Sequence, residues 1–284
     1  MPLWLRAIFF QGKGQNTTYA FRCRKVLPRW RKHSNMRDRE TGMDKIIRIT
    51  AGIFIIILVI FTATGLYGFY VKNEYRRTLV STYSYTLTIS TSEKLQNVTF
   101  FIPVPANTGG NSPFVEQFSI KAFTGIPAGW ETTLLGSNKA TMLKIRTPII
   151  AGSDGDGFSV RTSSDARTGQ VIDTKSPQER GIMLRPMQDM TKADCTALGI
   201  SDPGASCYRY ISSVYADYDA SPGAVIRISS SLNGKNEWKI FSPAYNEYSN
   251  AIDVELHGAH HGWTAAKGEL QSGIGSYDVP FFLP

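Results

Sequence analysis

The sequence predicts a mainly β protein with a single N-terminal transmembrane helix. Residues 49–71 form an uncharged run with a strongly apolar centre, and the chain beyond it repeatedly alternates apolar and polar side chains. Gly, Pro, Asn and Ser separate the alternating runs at short intervals, as they do between antiparallel strands. Together these observations predict one membrane helix followed by an antiparallel, β-sandwich-like domain that contains one short helix.

The apolar run is long enough to cross a bilayer as a helix. Its 23 residues would extend about 35 Å at about 1.5 Å per residue, whereas the hydrocarbon core is about 30 Å thick. Tyr67, Phe69 and Tyr70 lie near its C-terminal end, and aromatic side chains prefer the headgroup level. A cleaved signal peptide is the alternative, since Ala63 and Gly65 are small. The apolar stretch exceeds the usual length of about 7–15 residues, however, which favours a retained anchor.

Basic residues are concentrated before the apolar run. Residues 1–48 contain twelve Lys or Arg and three Asp or Glu, so this arm accounts for the formal net charge of +8. Residues 72–284 contain 19 Lys or Arg and 20 Asp or Glu, which gives no electrostatic support for nucleic-acid binding. By the positive-inside rule, we expect a cytoplasmic arm over 1–48, a transmembrane helix over 49–71 and an extracytoplasmic domain over 72–284.

The first 42 residues lack a sustained hydrophobic period, whereas Met43 opens a compact stretch that leads directly into the apolar run. We hypothesise that translation begins at Met43 and that residues 1–42 are a mis-assigned start. The alternative is a basic cytoplasmic tail that binds anionic lipid headgroups.

Period-two alternation defines the predicted strands. It is clearest in Ile252–His257, where apolar and polar side chains occupy opposite faces. Further alternating runs occur at Tyr85–Ile89, Val98–Val104, Leu143–Ile145 and Ile226–Ile228. Asn233-Gly234 has the composition of a tight hairpin turn. Residues 211–218 also fit a helical stripe, but their β-branched and aromatic content favours a strand.

Two segments interrupt the alternation. A Thr-x-x-Asp pattern and a following glycine predict a short helix over residues 192–198. Residues 163–180 are polar and lack a period, which predicts an exposed loop. That loop would divide the domain into two lobes, residues 79–162 and 181–284.

Two cysteines and one sequon suggest an extracytoplasmic setting. Cys195 and Cys207 are the only cysteines after the apolar run, and the loop between them is rich in Gly, Pro and Ser, so a local disulfide is predicted. A catalytic thiol paired with a distant histidine is the alternative. Asn97 opens an Asn-x-Thr sequon and faces away from Val98 on the predicted strand, which makes it a candidate glycosylation site.

Three of the four histidines lie within five residues, close to two acids. Asp253, Glu255 and His257 share one strand face at two-residue spacing, and His260 and His261 follow. Zinc and similar divalent ions need three or four such ligands in a small volume, so these five residues are a candidate metal site. The alternative, which we favour, is the polar face of an amphipathic strand that leads into a hydrated turn.

Trp238 and Trp263 lie beside glycine-containing segments, where exposed rings would form a platform for stacking against sugars; the alternative, which we favour, is core packing. The sequence has no G-x-S-x-G, phosphate-binding glycine loop, H-E-x-x-H or C-x-x-C motif. It therefore favours a non-enzymatic surface module without a cofactor, which contacts the lipid bilayer through residues 49–71 and binds envelope glycan or a neighbouring surface protein. A metal-dependent hydrolase built on the five residues at 253–261 is the alternative.

Two segments, Asn97–Pro105 and Asn236–Tyr277, carry a resemblance to a known group of proteins. The first is Asn-Val-Thr-Phe-Phe-Ile-Pro-Val-Pro, and the second contains Asn-Glu-Trp, Gly-Trp and Gly-Ile-Gly-Ser-Tyr. Over residues 80–280, the chain resembles exported, membrane-anchored β proteins of archaea, methanogens especially. The resemblance implies an archaeal cell-surface setting. It implies neither an activity nor the role of any residue.

Overall fold

A computed structural model describes residues 40–115, 125–136, 140–151 and 158–277. Most of the predicted basic arm, residues 1–39, lies outside these ranges. The described elements, in chain order, are α1 (Glu40–Thr78), β1 (Val80–Thr91), β2 (Leu95–Ala106), β3 (Glu131–Gly136), β4 (Thr141–Ile150), β5 (Phe158–Thr168), α2 (Pro177–Arg180), β6 (Met183–Leu184), β7 (Gln188–Ala193), a 3-10 helix (Thr196–Leu198), β8 (Ser206–Asp219), β9 (Val225–Lys239), β10 (Pro243–His257) and β11 (His260–Gly275).

The long helix α1 contains the predicted membrane segment. Asp44–Thr78 is long and apolar enough to cross a membrane, and the direction of crossing stays a prediction. The described chain up to Ile60 forms one compact unit, and the chain from Phe61 forms a second unit that contains the end of α1 and all the strands. Only Leu79 separates α1 from β1, and its N–H donates to the Tyr75 carbonyl oxygen at 2.9 Å.

The described strands form one antiparallel sheet, which confirms the predicted mainly β, antiparallel fold class. The strand order is β3-β4-β2-β8-β11-β10-β9-β1-β5, with β6 beside β2 and β7 beside β8. The predicted lobes, residues 79–162 and 181–284, both contribute to this sheet, since β1 pairs with β9 and β2 pairs with β8.

The sheet curls around one hydrophobic core. Leu143 and Ile145 of β4 line the same apolar space as Leu87 of β1 and Val160 of β5, although β4 and β5 lie near opposite ends of the strand order. Trp130, from the loop before β3, closes this space. Each large apolar side chain that is removed from water here contributes about 1.5–3 kcal/mol. The side chains that point into this core include the fully buried Tyr85, Phe100, Tyr218 and Tyr248.

Two predicted connections were wrong. Residues 163–168 of the predicted loop continue β5 and pair with β1; their inward side chains are too small to produce an apolar period. Asn233-Gly234 lies inside β9 rather than in a hairpin turn. Gly234 is needed for a different reason: a Cβ there would come within 2.2 Å of the Tyr248 ring, which packs flat against the glycine.

The predicted helix over residues 192–198 is shorter than expected. The Asp194 carboxylate accepts hydrogen bonds from the backbone N–H and the hydroxyl of Thr196, which begin a single 3-10 turn. Gly199 ends this turn at φ 76°. The short α-helix is α2, Pro177–Arg180, and residues 211–218 form a strand as predicted.

The Cys195–Cys207 disulfide is formed, with a Cα–Cα distance of 5.2 Å, and joins the end of β7 to the start of β8.

A buried amide ties the segment after β5 to the sheet. Asn236 accepts hydrogen bonds from the Ser81 hydroxyl (2.7 Å) and the Ile172 N–H (3.0 Å). It donates to the carbonyl oxygen of Ile172 and to the side-chain oxygen of Asn246, both at 2.8 Å. Asn236 is 2% exposed, so these groups depend on one another rather than on water.

A second polar contact fixes the turn before β8. The Asp202 carboxylate accepts hydrogen bonds from the N–H groups of Gly275 (2.8 Å) and Gly204 (2.9 Å). These bonds stabilise the charged form and hold the pKa of Asp202 below its usual value.

Candidate functional site

The sheet has two distinct ends. β1 begins beside the end of α1, and Lys239 and Pro243 of the β9–β10 hairpin lie at this proximal end. The opposite, distal end carries His257 and His260, because β10 and β11 run in opposite directions. β1 alone has 12 residues, or about 36 Å at about 3.3 Å per residue.

Three aromatic rings lie side by side on the outer face at the distal end. Tyr215 of β8 stands directly opposite Phe101 of β2 and Trp263 of β11. The ring centroids are 5.0 Å apart for Phe101–Tyr215 and 5.5 Å apart for Tyr215–Trp263. Trp263 is 61% exposed. Phe101 and Tyr215 are half-buried, and the Phe101 ring also stacks on Trp263 with centroids 6.4 Å apart. We call these three residues the aromatic strip; an exposed ring supported by neighbouring rings is typical of a binding site.

Strand alternation places the strip outside the core. Phe100 and Ala216 are fully buried, so their neighbours Phe101 and Tyr215 must face outward. Lys144 of β4 extends the row, with its Nζ 5.8 Å from the Phe101 ring centroid. Sequence reasoning named only Trp263. The inward assignment of Phe100 on the same predicted strand was the signal that could have identified Phe101.

A polar row borders the strip on its distal side. His261 Nδ1 lies 2.7 Å from an Asp217 carboxylate oxygen, and the Asn97 side-chain amide donates to Asp219 at 2.8 Å. His261 Nε2 lies 3.9 Å from Asp219, so the two carboxylates flank one imidazole. All four side chains reach solvent. They offer hydrogen-bond acceptors and donors beside the apolar rings.

Asn97 is exposed, as the sequon requires, but its side-chain amide already donates a hydrogen bond to Asp219. Its φ is 55°, and the β2–β8 register shifts between Gln96 and Thr99. A glycan attached to Asn97 would replace one hydrogen of the amide nitrogen that donates to Asp219. Glycosylation of Asn97 stays a prediction.

A charged cleft lies on the other side of Trp263. β10 and β11 pair only as far as Asp253 and Lys267; beyond these residues β10 follows β9, and β11 follows β8. The two strands therefore separate and leave an open cleft of about 410 Å³ on the outer face. Its charged lining residues are Arg227, Asp253, Glu255 and Lys267.

The charges in the cleft are largely paired. Arg227 donates to Glu255 at 2.7 Å, and this hydrogen bond and the guanidinium charge hold the pKa of Glu255 below its usual value. His257 Nε2 lies 3.3 Å from the other Glu255 oxygen. Because these groups are exposed, the pairing orients the side chains more than it stabilises the fold.

The predicted five-residue metal site is not formed. Glu255 and His257 are directed to each other and to Arg227, whereas His261 is directed across β11 to Asp217. His260 is adjacent to His261 on the strand, so it points to the opposite face and lies 6.5 Å from the ring of buried Tyr218. In the part of the chain that the structure describes, no three His, Cys, Asp or Glu side chains are placed to hold a metal ion.

Of the two roles considered for Trp238, the structure excludes the platform and agrees with the favoured core packing. Trp238 is 6% exposed and packs edge-on against Tyr75 of α1, with ring centroids 5.5 Å apart. It lies at the proximal end of β9, so it belongs to the contact between helix and sheet rather than to a platform with Trp263.

Comparisons with protein-family models, with curated proteins and with solved structures find no match for this chain. The resemblance to archaeal exported proteins therefore stays a prediction, and a functional argument must rest on the aromatic strip, the polar row and the charged cleft.

Proposed function

We propose that this protein is a membrane-anchored, non-enzymatic surface module that binds envelope glycan with the distal outer face of its sheet. The observation that carries the proposal is the aromatic strip, in which Trp263, 61% exposed, packs edge-on against Tyr215 and stacks on Phe101. Trp263 stays exposed although Phe101 and Tyr215 pack against it, which is not the environment of a core side chain.

The chemistry around the strip suits a sugar. A pyranose ring presents apolar C–H groups on its faces and hydroxyl groups around its rim. The Trp263 ring can stack against such a face, supported by the edge-on Tyr215 ring, while Asp217 and Asp219 accept hydrogen bonds from rim hydroxyls. The charged cleft lies directly alongside on the same face, so a second sugar unit could bind there through Asp253 and Lys267.

The distal outer face lies far from the membrane anchor along the strands. Lys267 aligns across β10 and β9 with Thr88 of β1, and Trp263 lies four residues further toward the distal end. Measured along the strands, Trp263 is therefore about 40 Å from the start of β1, which follows α1 directly. The basic arm before α1 and the Cys195–Cys207 disulfide both favour an N-terminus in the cytoplasm and the sheet outside.

The proposal can be tested by probing a glycan array with the full-length protein in phosphatidylcholine nanodiscs. We expect selective glycan binding that is lost in Trp263→Ala. Tyr245→Ala is a matched control, because Tyr245 is also an exposed ring, at 43%, but lies at the proximal end. Equal binding by wild type and Trp263→Ala would reject the proposed site. Binding to a deglycosylated envelope protein fraction but to no glycan would instead identify a neighbouring surface protein as the partner.

A further inference from the structure

An exposed phenylalanine occupies the tip of the β9–β10 hairpin. β9 ends at Lys239 and β10 begins at Pro243, and Phe241 between them is 64% exposed. Residues 238–246 contain no acid. A large apolar ring at a tip without negative charge is unfavourable in water and favourable in a membrane interface.

The same hairpin lies along the last turns of α1. The Phe241 ring centroid is 6.2 Å from that of Tyr67 and 6.1 Å from that of Tyr70. Further along the helix, the hydroxyl oxygen of Thr78 lies 3.0 Å from both the backbone nitrogen and the carbonyl oxygen of Lys239. Val71, on the same helical segment, is 3% exposed. These contacts fix the direction of the hairpin, whose tip points back toward the apolar run.

Positions along α1 indicate how deep in the bilayer the hairpin tip would lie. Tyr67 precedes Lys72, the first charged residue after the apolar run, by five residues, which corresponds to about 7.5 Å along a helix. Tyr67 and Tyr70 lie in the part of a spanning helix where aromatic side chains occupy the headgroup layer. Phe241 packs beside both rings and therefore lies at the same depth.

Basic residues stand where the lipid phosphates would be. Lys72 and Arg76 follow the apolar run on α1, and Lys239 precedes Phe241 on the hairpin. Arg77 is held by Glu74 at 2.6 Å. The apolar Phe241 ring would lie in the interfacial layer, and the basic residues above it would lie at the level of the phosphates. This order matches the order of apolar and charged layers in a phospholipid monolayer.

We propose that the tip of the β9–β10 hairpin inserts into the interfacial layer of the bilayer beside α1, as a second membrane contact of the sheet domain. This inference rests on the membrane anchoring in the proposed function. Two contacts, rather than one flexible tether, hold the sheet at a set angle to the membrane. The aromatic strip is then presented away from the lipid surface.

Depth-dependent quenching tests the insertion in the full-length chain. Phe241→Cys and, as a second tip position, Ser242→Cys are labelled with nitrobenzoxadiazole in a Cys23→Ser background that leaves the Cys195–Cys207 disulfide intact. Trp263→Cys is the matched distal control, and Ile56→Cys reports on the helix. Each protein is placed in phosphatidylcholine nanodiscs that contain a minor fraction of doxyl-labelled phosphatidylcholine.

We expect the labels at positions 241, 242 and 56 to lose most of their emission to the doxyl lipid, and the label at 263 to be quenched by aqueous iodide instead. Iodide quenching at 241 and 242 equal to that at 263, with position 56 still quenched by lipid, would overturn the hairpin insertion and leave the anchor intact. Absence of lipid quenching at position 56 would overturn the anchor, and the hairpin inference with it.

Discussion

Replacement of Asn236 by alanine should be among the most damaging single changes in the sheet domain. It removes four hydrogen bonds, to Ser81, to Asn246 and to both backbone groups of Ile172. At about 0.5–1.5 kcal/mol net per bond, the free energy of unfolding should fall by about 2–6 kcal/mol. For a domain of this size, the central value of about 4 kcal/mol corresponds to a fall in melting temperature of roughly 8–16 °C.

Thermal unfolding of the full-length protein in detergent, followed by near-ultraviolet circular dichroism, measures this effect. Asn233→Ala is the matched control, since Asn233 lies on the same strand and makes one longer hydrogen bond, to Glu247 at 3.3 Å on the outer face. The control should lower the melting temperature only slightly. If Asn236→Ala and Asn233→Ala melt at the same temperature, the buried amide does not hold the segment around Ile172 as described.

Two further predictions concern stability. Reduction of the Cys195–Cys207 disulfide should lower the free energy of unfolding by about 2–3 kcal/mol, because a short loop is no longer closed in the unfolded chain; native protein that already contains two alkylatable thiols in the sheet domain would contradict this. The lowered pKa of Asp202 contributes stability that is fully present above the unfolded pKa, near 3.8, and is lost as the pH falls through the folded pKa. Asp202→Asn should therefore melt below wild type at neutral pH and approach it under acid conditions, and a constant difference at all pH values would reject the assignment.

Strand positions could be predicted wherever an inward apolar side chain alternated with an outward polar one, as in Ile252–His257 and Val98–Val104. The full extent of β5 was not predictable, because its inward residues, such as Thr162 and Ala166, carry little apolar signal. Sequence reasoning failed at Gly234, because a local turn signature gave no information about the Tyr248 ring that occupies the space beside the glycine.

The candidate site was only partly accessible from sequence. Trp238 and Trp263 have similar local surroundings in sequence, but alternation along β9 turns Trp238 to the inner face, where Tyr75 of α1 also covers it. The aromatic strip depends on the register between β2, β8 and β11, which are far apart in the chain. The separation of His260 from His261 follows from simple alternation once the start of β11 is known.

Titration of the nanodisc-bound protein with an array-selected oligosaccharide tests the central claim most directly. We expect Trp263→Ala to weaken binding about tenfold, equivalent to about 1.4 kcal/mol of lost stacking, while Tyr245→Ala binds like wild type. A dissociation constant that is the same for wild type and Trp263→Ala, or that rises equally in both variants, would contradict a glycan site on the distal outer face.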